Sequence, residues 1–266
     1  RVFPEAGAPA APGVVPATAY GLREKFAATT TVVELDTDKQ RGYELDAATL
    51  KSRGSGALPL VEDLWTAYDG LAIGKQHDSA SGGRAVLAAY TVPGFKLAWT
   101  VPLTAGQDID RVKPCGPHLV CAAIDESEQD RTIAVDTRGG KEVWNVPVES
   151  SEDETWYVDA TGLVFGDAPF QVVSGPRMID FTGKVRHESD QVTTAVAVSG
   201  GRVALRTFDG MGGQWQIRVA DMASGRQTGG LKVGSDLPDQ VYLDGDFVVV
   251  TTKDRRTLLA KAGDLG

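Results

Sequence analysis

The sequence predicts an all-β fold that is built from repeated units of about four short strands. Extended apolar segments cover nearly all of the chain after residue 28, and no amphipathic helix of a dozen residues competes with them. Turn residues separate these segments, as the 31 Gly and 13 Pro indicate. The clearest example is a predicted hairpin with a strand that ends at Asp136, a turn at Gly140 and a second strand around Trp144.

The repeat can be followed along the chain by the ends of equivalent strands. These ends are predicted at Asp46, Tyr90, Asp136, Asp180, Asp221 and Lys261, at intervals of 44, 46, 44, 41 and 40 residues. A period of roughly 40 to 50 residues with four strands per unit is typical of β-propeller blades. A β-sandwich with frequent turns would not show such long-range similarity. We therefore expect six blades, the last of which stops near its third strand. Seven blades are possible if further residues belong to the domain.

The chain divides into two predicted regions. Residues 1–28 begin with a Pro/Ala/Gly-rich stretch that has no periodicity, and such a composition predicts a flexible tether. The chain starts at Arg1 instead of Met, so we expect that a signal peptide or membrane anchor preceded the tether. Residues 29–266 then form the propeller, which we expect to be a monomeric domain.

The charge of the chain argues against a nucleic-acid partner, and its hydropathy argues against a membrane-spanning helix. The formal net charge of −9 and the pI near 4.9 make the surface repel phosphate backbones, so nucleic acid is not an expected partner. No apolar run approaches the roughly 18 residues of a membrane-spanning helix.

The two cysteines predict a disulfide. Cys115 and Cys121 flank a Gly-Pro turn signal and would face each other across a hairpin. A metal pair with the neighbouring His118 and a pair of reduced thiols are the alternatives, although a metal site needs more ligands than these. A disulfide indicates an oxidising compartment, so we expect an extracytoplasmic location.

Repeated copies of one motif, strand–Asp–x–x–x–Gly–Lys–x–x–Trp, resemble the repeat of pyrroloquinoline-quinone-type (PQQ-like) propellers. The copies are Asp136 to Trp144, 93–99 ending at Trp99, Asp180 to His187, and Asp221 to Gly229, with turn glycines Gly140, Gly183 and Gly225. His187 stands where Trp is expected, and the last copy has no aromatic residue. We expect Asp to accept hydrogen bonds from its own turn and Gly to supply positive φ. Trp99 and Trp144 are expected to dock against the next blade, each with an acceptor for the indole N–H.

The resemblance implies the non-catalytic branch of this family. Its quinoprotein dehydrogenases have eight blades, a vicinal Cys–Cys pair over the cofactor and a calcium site with a catalytic Asp, whereas Cys115 and Cys121 are six positions apart. We therefore expect no cofactor and no enzyme activity. Non-catalytic members include an outer-membrane assembly scaffold and extracellular propellers of actinobacterial envelope proteins and receptor kinases. The Ala/Val/Gly/Asp-rich, Lys-poor composition suits an actinobacterial origin.

The inventory of catalytic and metal-binding motifs is short. His77, His118 and His187 fall in three different units, and none belongs to a metal-binding spacing. Acidic groups could hold Ca²⁺ only if six to eight oxygens converged; these groups are Asp36/Asp38, Asp125/Glu126/Glu128/Asp130 and Glu152/Asp153/Glu154. Two hypotheses remain: a scaffold that binds an envelope or membrane protein, and a sensor that binds a small molecule, sugar or metal in the central channel.

Overall fold

A computed structural model describes residues 14–17, 25–28, 31–36, 38–46, 48–61, 64–78, 82–126, 130–147, 155–159, 162–166, 176–188, 193–209, 212–244 and 247–261. Every regular element within these ranges is a β-strand, and the strands form six antiparallel sheets. The sheets belong to two compact units. Sheets 1 to 3 make up the first unit, and sheets 4 to 6 make up the second.

The first unit contains three sheets whose strands follow one another in sequence order. Sheet 1 consists of β1 (Val14–Ala17), β2 (Lys25–Ala28), β3 (Thr31–Asp36), β4 (Arg41–Asp46) and β5 (Ser52–Ala57). Sheet 2 consists of β6 (Trp65–Tyr68), β7 (Leu71–Asp78), β8 (Arg84–Thr91) and β9 (Leu97–Pro102). Sheet 3 consists of β10 (Asp108–Gly116), β11 (Leu119–Asp125), β12 (Arg131–Asp136) and β13 (Lys141–Pro147).

The second unit has the same sequential strand order. Sheet 4 consists of β14 (Thr155–Asp159), β15 (Gly162–Gly166), β16 (Arg177–Ile179) and β17 (Val185–Glu188). Sheet 5 consists of β18 (Thr193–Ser199), β19 (Arg202–Asp209), β20 (Gln214–Asp221) and β21 (Gln227–Gly234). Sheet 6 consists of β22 (Pro238–Asp244), β23 (Phe247–Thr252) and β24 (Thr257–Lys261).

This arrangement confirms the predicted fold class, an all-β propeller with six blades. Four of the sheets have four strands in meander order, as blades require. Sheet 6 has three strands among the described residues, in line with the sequence pattern. Sheet 1 has five, because β1 and β2 lie within the segment 1–28. Strand structure therefore begins before residue 29, and the remainder of that segment lies outside the described residues.

The central strands of the blades are buried on both faces. Five consecutive residues after Leu119 in β11 are buried, as are the six residues of β8 from Ala85 to Tyr90. Such continuous burial explains why these strands read as unbroken apolar runs instead of alternating ones. Alanines are frequent there, including Ala88 and Ala122, and their small side chains fit the narrow space between packed sheets.

A β-bulge recurs in sheets 2 to 5, where the fourth strand has one extra residue opposite the end of the third strand, and an equivalent register shift occurs between β4 and β5 of sheet 1. The register shifts fall at Glu44/Leu45, Ala89/Tyr90, Ala134/Val135, Met178/Ile179 and Val219/Ala220. They align Thr91, not Tyr90, with Asp136, so the predicted strand end in sheet 2 was wrong by one residue. The Thr91 hydroxyl accepts a hydrogen bond from the Lys96 N–H at 3.2 Å, as the Asp carboxylates do in other blades.

Candidate interaction surface

Trp99 of β9 docks onto the turn between β12 and β13 of the neighbouring sheet. Its indole N–H donates a hydrogen bond to the carbonyl oxygen of Thr137 at 2.7 Å. A Cβ atom added to Gly140 would lie only 2.8 Å from Cγ and Cδ2 of this ring. Gly140 also has a φ of 68°. Both the left-handed backbone and the close approach of the ring therefore require glycine. The Trp99 ring therefore lies against the turn glycine of the neighbouring sheet.

His187 occupies the corresponding position in the second unit. It pairs with Met178 at the bulge of sheet 4, as Trp99 pairs with Ala89 in sheet 2. Its ring lies against Gly225 in the turn after β20, where an added Cβ would be 2.1 Å from the imidazole Cγ. Gly225 has the same φ of 68° as the turn glycine of sheet 3. The smaller ring of His187 therefore makes the docking contact for which the sequence pattern expects Trp.

The predicted turn aspartates accept hydrogen bonds from their own turns. Backbone N–H groups donate to the carboxylate Oδ1 from Arg138 to Asp136 (2.9 Å), from Thr182 to Asp180 (2.9 Å) and from Ser224 to Asp221 (2.8 Å). The carboxylate thus replaces a backbone acceptor in each turn, which is the usual role of Asp in such turns.

These contacts hold two of the turn carboxylates ionised. Hydrogen bonds from the side chain and backbone of Arg138 lower the pKa of Asp136 to about 2. Burial alone would raise the pKa of Asp180, but hydrogen bonds from Thr182 and Lys184, together with others, lower it to about 2. The charged form is the one that the turn hydrogen bonds stabilise.

Two further predicted docking residues, Trp144 and Gly183, are positioned by strand pairing and turn geometry within their own sheets. Trp144 is buried and pairs with Ala134 on β12, the register equivalent of Trp99 opposite Ala89. Gly183 has a φ of 82°, and its N–H donates to the carbonyl oxygen of Asp180 at 2.9 Å. The left-handed backbone predicted for this glycine is therefore present.

A disulfide joins Cys115 and Cys121 across the hairpin of β10 and β11. The Cα atoms are 5.6 Å apart, and both residues are fully buried. Cys121 pairs in register with Lys113, while Cys115 lies at a bulge between Pro114 and Gly116. The two cysteines are therefore diagonal neighbours on one face of the hairpin rather than directly opposite each other.

Asp69, His118 and Thr137 form a polar network between sheets 2 and 3. The Thr137 hydroxyl donates to Asp69 Oδ2 at 2.6 Å, and His118 Nδ1 lies 2.7 Å from the same oxygen. A catalytic triad would place the imidazole between the hydroxyl and the carboxylate. Here the carboxylate lies between the other two groups, so the imidazole cannot take the Thr137 proton. The network instead links the turns of two blades.

The acidic groups of the sequence do not form a metal site in the described part of the chain. No group of three or more His, Cys, Asp or Glu side chains there is arranged to hold a metal ion. Asp36 is paired with Lys39 at 2.8 Å. Burial, and then the charges of Asp110 and Asp130, raise the pKa of Asp125. Glu128 and the residues Glu152, Asp153 and Glu154 lie outside the described residues.

A surface cluster that the sequence motifs do not reveal lies on sheet 5. It consists of Arg206 and Phe208 on β19 and Trp215 on β20, and we call it the Arg206 cluster. Phe208 and Trp215 are directly paired in the strand register, and their ring centroids are 4.8 Å apart with an interplanar angle of 48°. The guanidinium carbon of Arg206 lies 5.7 Å from the centre of the Trp215 ring. Phe208 remains 41% exposed, so the cluster is open to solvent.

Arg206 differs from other arginines of the described chain in its electrostatic environment. Burial lowers the pKa of Arg206, and the nearby Tyr157 opposes this effect. Its Nη1 donates a hydrogen bond to the carbonyl oxygen of Pro238 at 3.4 Å. Several other arginines, but not all, are paired with carboxylates: Arg53 with Asp46, Arg131 with Glu126, Arg138 with Asp136, Arg186 with Asp180, and Arg256 with Asp236 and Asp254. No described carboxylate lies within ion-pair distance of Arg206.

A hairpin prediction could have found this cluster. Residues 206 and 208 are two apart and share one strand face, and a tight turn at 210–213 would bring residue 215 opposite residue 208. These residues do not belong to the recurring Asp–Gly–Trp motif. Among the described residues the cluster occurs in one blade, so no repeat marks it.

The fold and these sites define the chain as a β-propeller, a class that comparison with solved structures supports. The eukaryotic initiation factor is similar, with a TM-score of 0.65 and 8% identity over 88% of this chain. This chain spans 61% of the length of that protein. BamB from Moraxella catarrhalis has a TM-score of 0.52 and 12% identity, with 98% of this chain and 85% of that chain covered. Saccharomyces cerevisiae Sqt1 has a TM-score of 0.51 and 10% identity, with 98% and 82% covered.

At these identities the likeness is one of fold alone. No protein family model matches the sequence, and no curated protein matches it. Within the described ranges, no helix has the length and apolar character needed to cross a membrane.

Proposed function

We propose that this propeller is a protein-interaction scaffold of the cell envelope, exposed to an extracytoplasmic compartment. The observation that carries the proposal is the Arg206 cluster. Trp and Arg are the residue types that dominate the binding energy of protein interfaces, and aromatic residues are enriched in them. The cluster presents these types together on paired strands, so they are held in place before any partner binds.

The disulfide supports the extracytoplasmic part of the proposal. Bonds such as Cys115–Cys121 form and persist mainly in oxidising compartments. The resemblance of the turn motif to PQQ-like repeats agrees with this location, because it implies the non-catalytic envelope branch of that family. An actinobacterial source would also agree with the resemblance.

The network of Asp69, His118 and Thr137 supports a binding function rather than catalysis. The Thr137 hydroxyl donates its hydrogen bond to Asp69, and the His118 imidazole contacts the same carboxylate rather than the hydroxyl. This polar group therefore serves to join turns of adjacent sheets. The proposed function is thus based on surface recognition, for which a rigid blade scaffold is suited.

The test is crosslinking capture from the cell envelope of the source organism with the full chain. We would compare the wild type with Phe208→Ser and with Leu97→Ser, a control that removes a similarly exposed apolar side chain from β9. Leu97 is 57% exposed and Phe208 is 41% exposed. We expect the wild type and the control to capture the same protein and Phe208→Ser to lose it. Equal capture by Phe208→Ser, or no captured protein at all, would overturn the proposal.

A further inference from the structure

The Arg206 cluster has one feature that its aromatic residues do not explain, namely a half-buried cation that no carboxylate of the described residues neutralises. Removing a guanidinium group from water is costly unless its charge and donors are matched. Arg206 has five N–H donors, but among the described residues its only hydrogen bond is the 3.4 Å contact to Pro238. The lowered pKa of Arg206 has burial as its main cause, in keeping with this desolvation.

We infer that the Arg206 cluster is a binding site for a carboxylate on a peptide segment of a protein partner, with an apolar side chain beside that carboxylate. This inference rests on the proposed function and specifies the chemistry of the partner. The guanidinium fork matches the two oxygens of a carboxylate. The exposed face of Phe208, beside Trp215, offers the apolar contact next to it.

The charge of the whole protein favours a carboxylate over a phosphate. The chain carries a formal net charge of −9, so its field repels a doubly charged group more strongly than a singly charged one. The cluster supplies one cation, whereas phosphate sites commonly combine several donors or backbone N–H groups. A single carboxylate would neutralise Arg206 without leaving excess negative charge in the site.

The aromatic pair strengthens the recognition of an anion by Arg206. Trp215 lies beside the guanidinium and limits its access to water, which makes the charge interaction with a ligand stronger. Arg206 and Phe208 share one face of β19, so one extended peptide could place successive same-side residues on both. The expected ligand therefore has its carboxylate and its apolar group close together in sequence.

The test uses fluorescence polarisation with labelled peptides that contain a central Glu flanked by each apolar residue type in turn. Matched peptides carry Gln or phosphoserine in place of Glu. We expect a subset of the Glu peptides to bind the wild-type chain and their Gln counterparts to bind at least tenfold more weakly. Equal binding of Glu and Gln peptides, tighter binding of phosphoserine peptides, or no binding of any Glu peptide would overturn the inference.

Variants of the full chain assign the effect to the guanidinium. Arg206→Met keeps the length of the side chain and removes the charge, and we expect at least a tenfold loss of Glu-peptide affinity. Lys232→Met, which removes an exposed charge from β21 of the same sheet, should leave the affinity unchanged. Arg206→Lys keeps the charge but not the fork and should bind with intermediate affinity. If Arg206→Met does not fold, as judged by circular dichroism, Arg206→Lys alone tests the inference, and unchanged affinity would contradict it.

The outcomes separate this inference from the proposed function. If Phe208→Ser loses the captured protein while no peptide shows Glu dependence, the scaffold proposal stands and the carboxylate site falls. If Phe208→Ser captures the partner as well as the wild type does, the scaffold proposal falls whatever the peptides show.

Discussion

Gly140→Ala should separate the two demands that the docked Trp99 ring and the turn place on one residue. The substitution puts a Cβ at a φ of 68°, which costs about 1–2 kcal/mol for a left-handed L-residue. The same Cβ would lie 2.8 Å from the Trp99 ring. Overpacking of this kind typically costs about 1–3 kcal/mol. We therefore expect the free energy of unfolding to fall by about 2–5 kcal/mol in total.

Two other turn glycines supply the controls. Gly70→Ala has a nearly identical φ of 72° and only an ordinary contact of 3.7 Å to the Val92 carbonyl oxygen, so it should show the backbone cost alone. Gly139→Ala has open space within 4 Å and no left-handed φ, so it should be neutral or slightly stabilising. Denaturant unfolding followed by circular dichroism measures all three variants, with the m-value as a check on compactness.

The result that would refute this reasoning is a loss for Gly140→Ala no larger than that for Gly70→Ala. The ring contact would then add nothing to the backbone cost. A second check is the double variant with Trp99→Leu. If the overlap with the ring is the cause, Gly140→Ala should cost less in the Trp99→Leu background, because adjacent residues couple through their contact.

Three further predictions concern the disulfide, the turn carboxylates and the second tryptophan. Reduction of Cys115–Cys121 should lower the free energy of unfolding by only about 2 kcal/mol, because the loop that the bond closes is short, and Tm should fall modestly. Two free thiols found by mass spectrometry in freshly purified protein would contradict the bond. The pKa of Asp180 is about 2 in the folded chain and 3.8 by reference, so its contribution to stability is present above about pH 4 and lost as pH falls toward 2. Asp180→Asn should therefore reduce the fall in Tm over that range, and an unchanged slope would contradict the assignment. Trp144→Ala should destabilise by about 3–5 kcal/mol as a truncated buried aromatic, while Val143→Ala, at an exposed neighbour, should stay within about 0.5 kcal/mol. A stable Trp144→Ala chain that no longer captures a partner would instead assign Trp144 to a binding surface.

The repeating part of the fold could be predicted because the blades use the same kind of turn after the third strand. An Asp that caps its turn and a Gly with positive φ leave a pattern in the chain, as in Asp136 and Gly140. The error at Tyr90 has a physical cause. Thr91 performs the Asp role with a hydroxyl, so the carboxylate that marks the strand end in other blades is absent from this position.

Other features depend on register, which the sequence specifies only weakly. The disulfide was predicted from the spacing of Cys115 and Cys121, but their diagonal arrangement follows from the bulge at Pro114. The first sheet includes β1 and β2, although the Pro/Ala-rich composition near the start of the chain indicates a tether. Strand pairing can recruit segments whose composition alone would not predict a strand, because the partner strand supplies the missing hydrogen bonds.

The docking turn and the Arg206 cluster lie at different positions on β20, so the residues of one can be substituted without changing the other. The docking turn begins at Asp221, at one end of the strand, and Trp215 of the Arg206 cluster lies near the other end. Six residues separate them, which is about 20 Å along an extended strand. Docking is maintained by main-chain features, the bulge and the left-handed glycine, so the ring that fills the contact can be Trp99 in one blade and His187 in another. The far end of the same strand has its own bulge, between Trp215 and Gln216, and its partner Gly234 is left-handed, but this end lies outside the turn against which His187 packs. Binding residues can therefore differ from blade to blade there, and substitutions at Arg206 or Phe208 should change recognition while leaving blade docking intact.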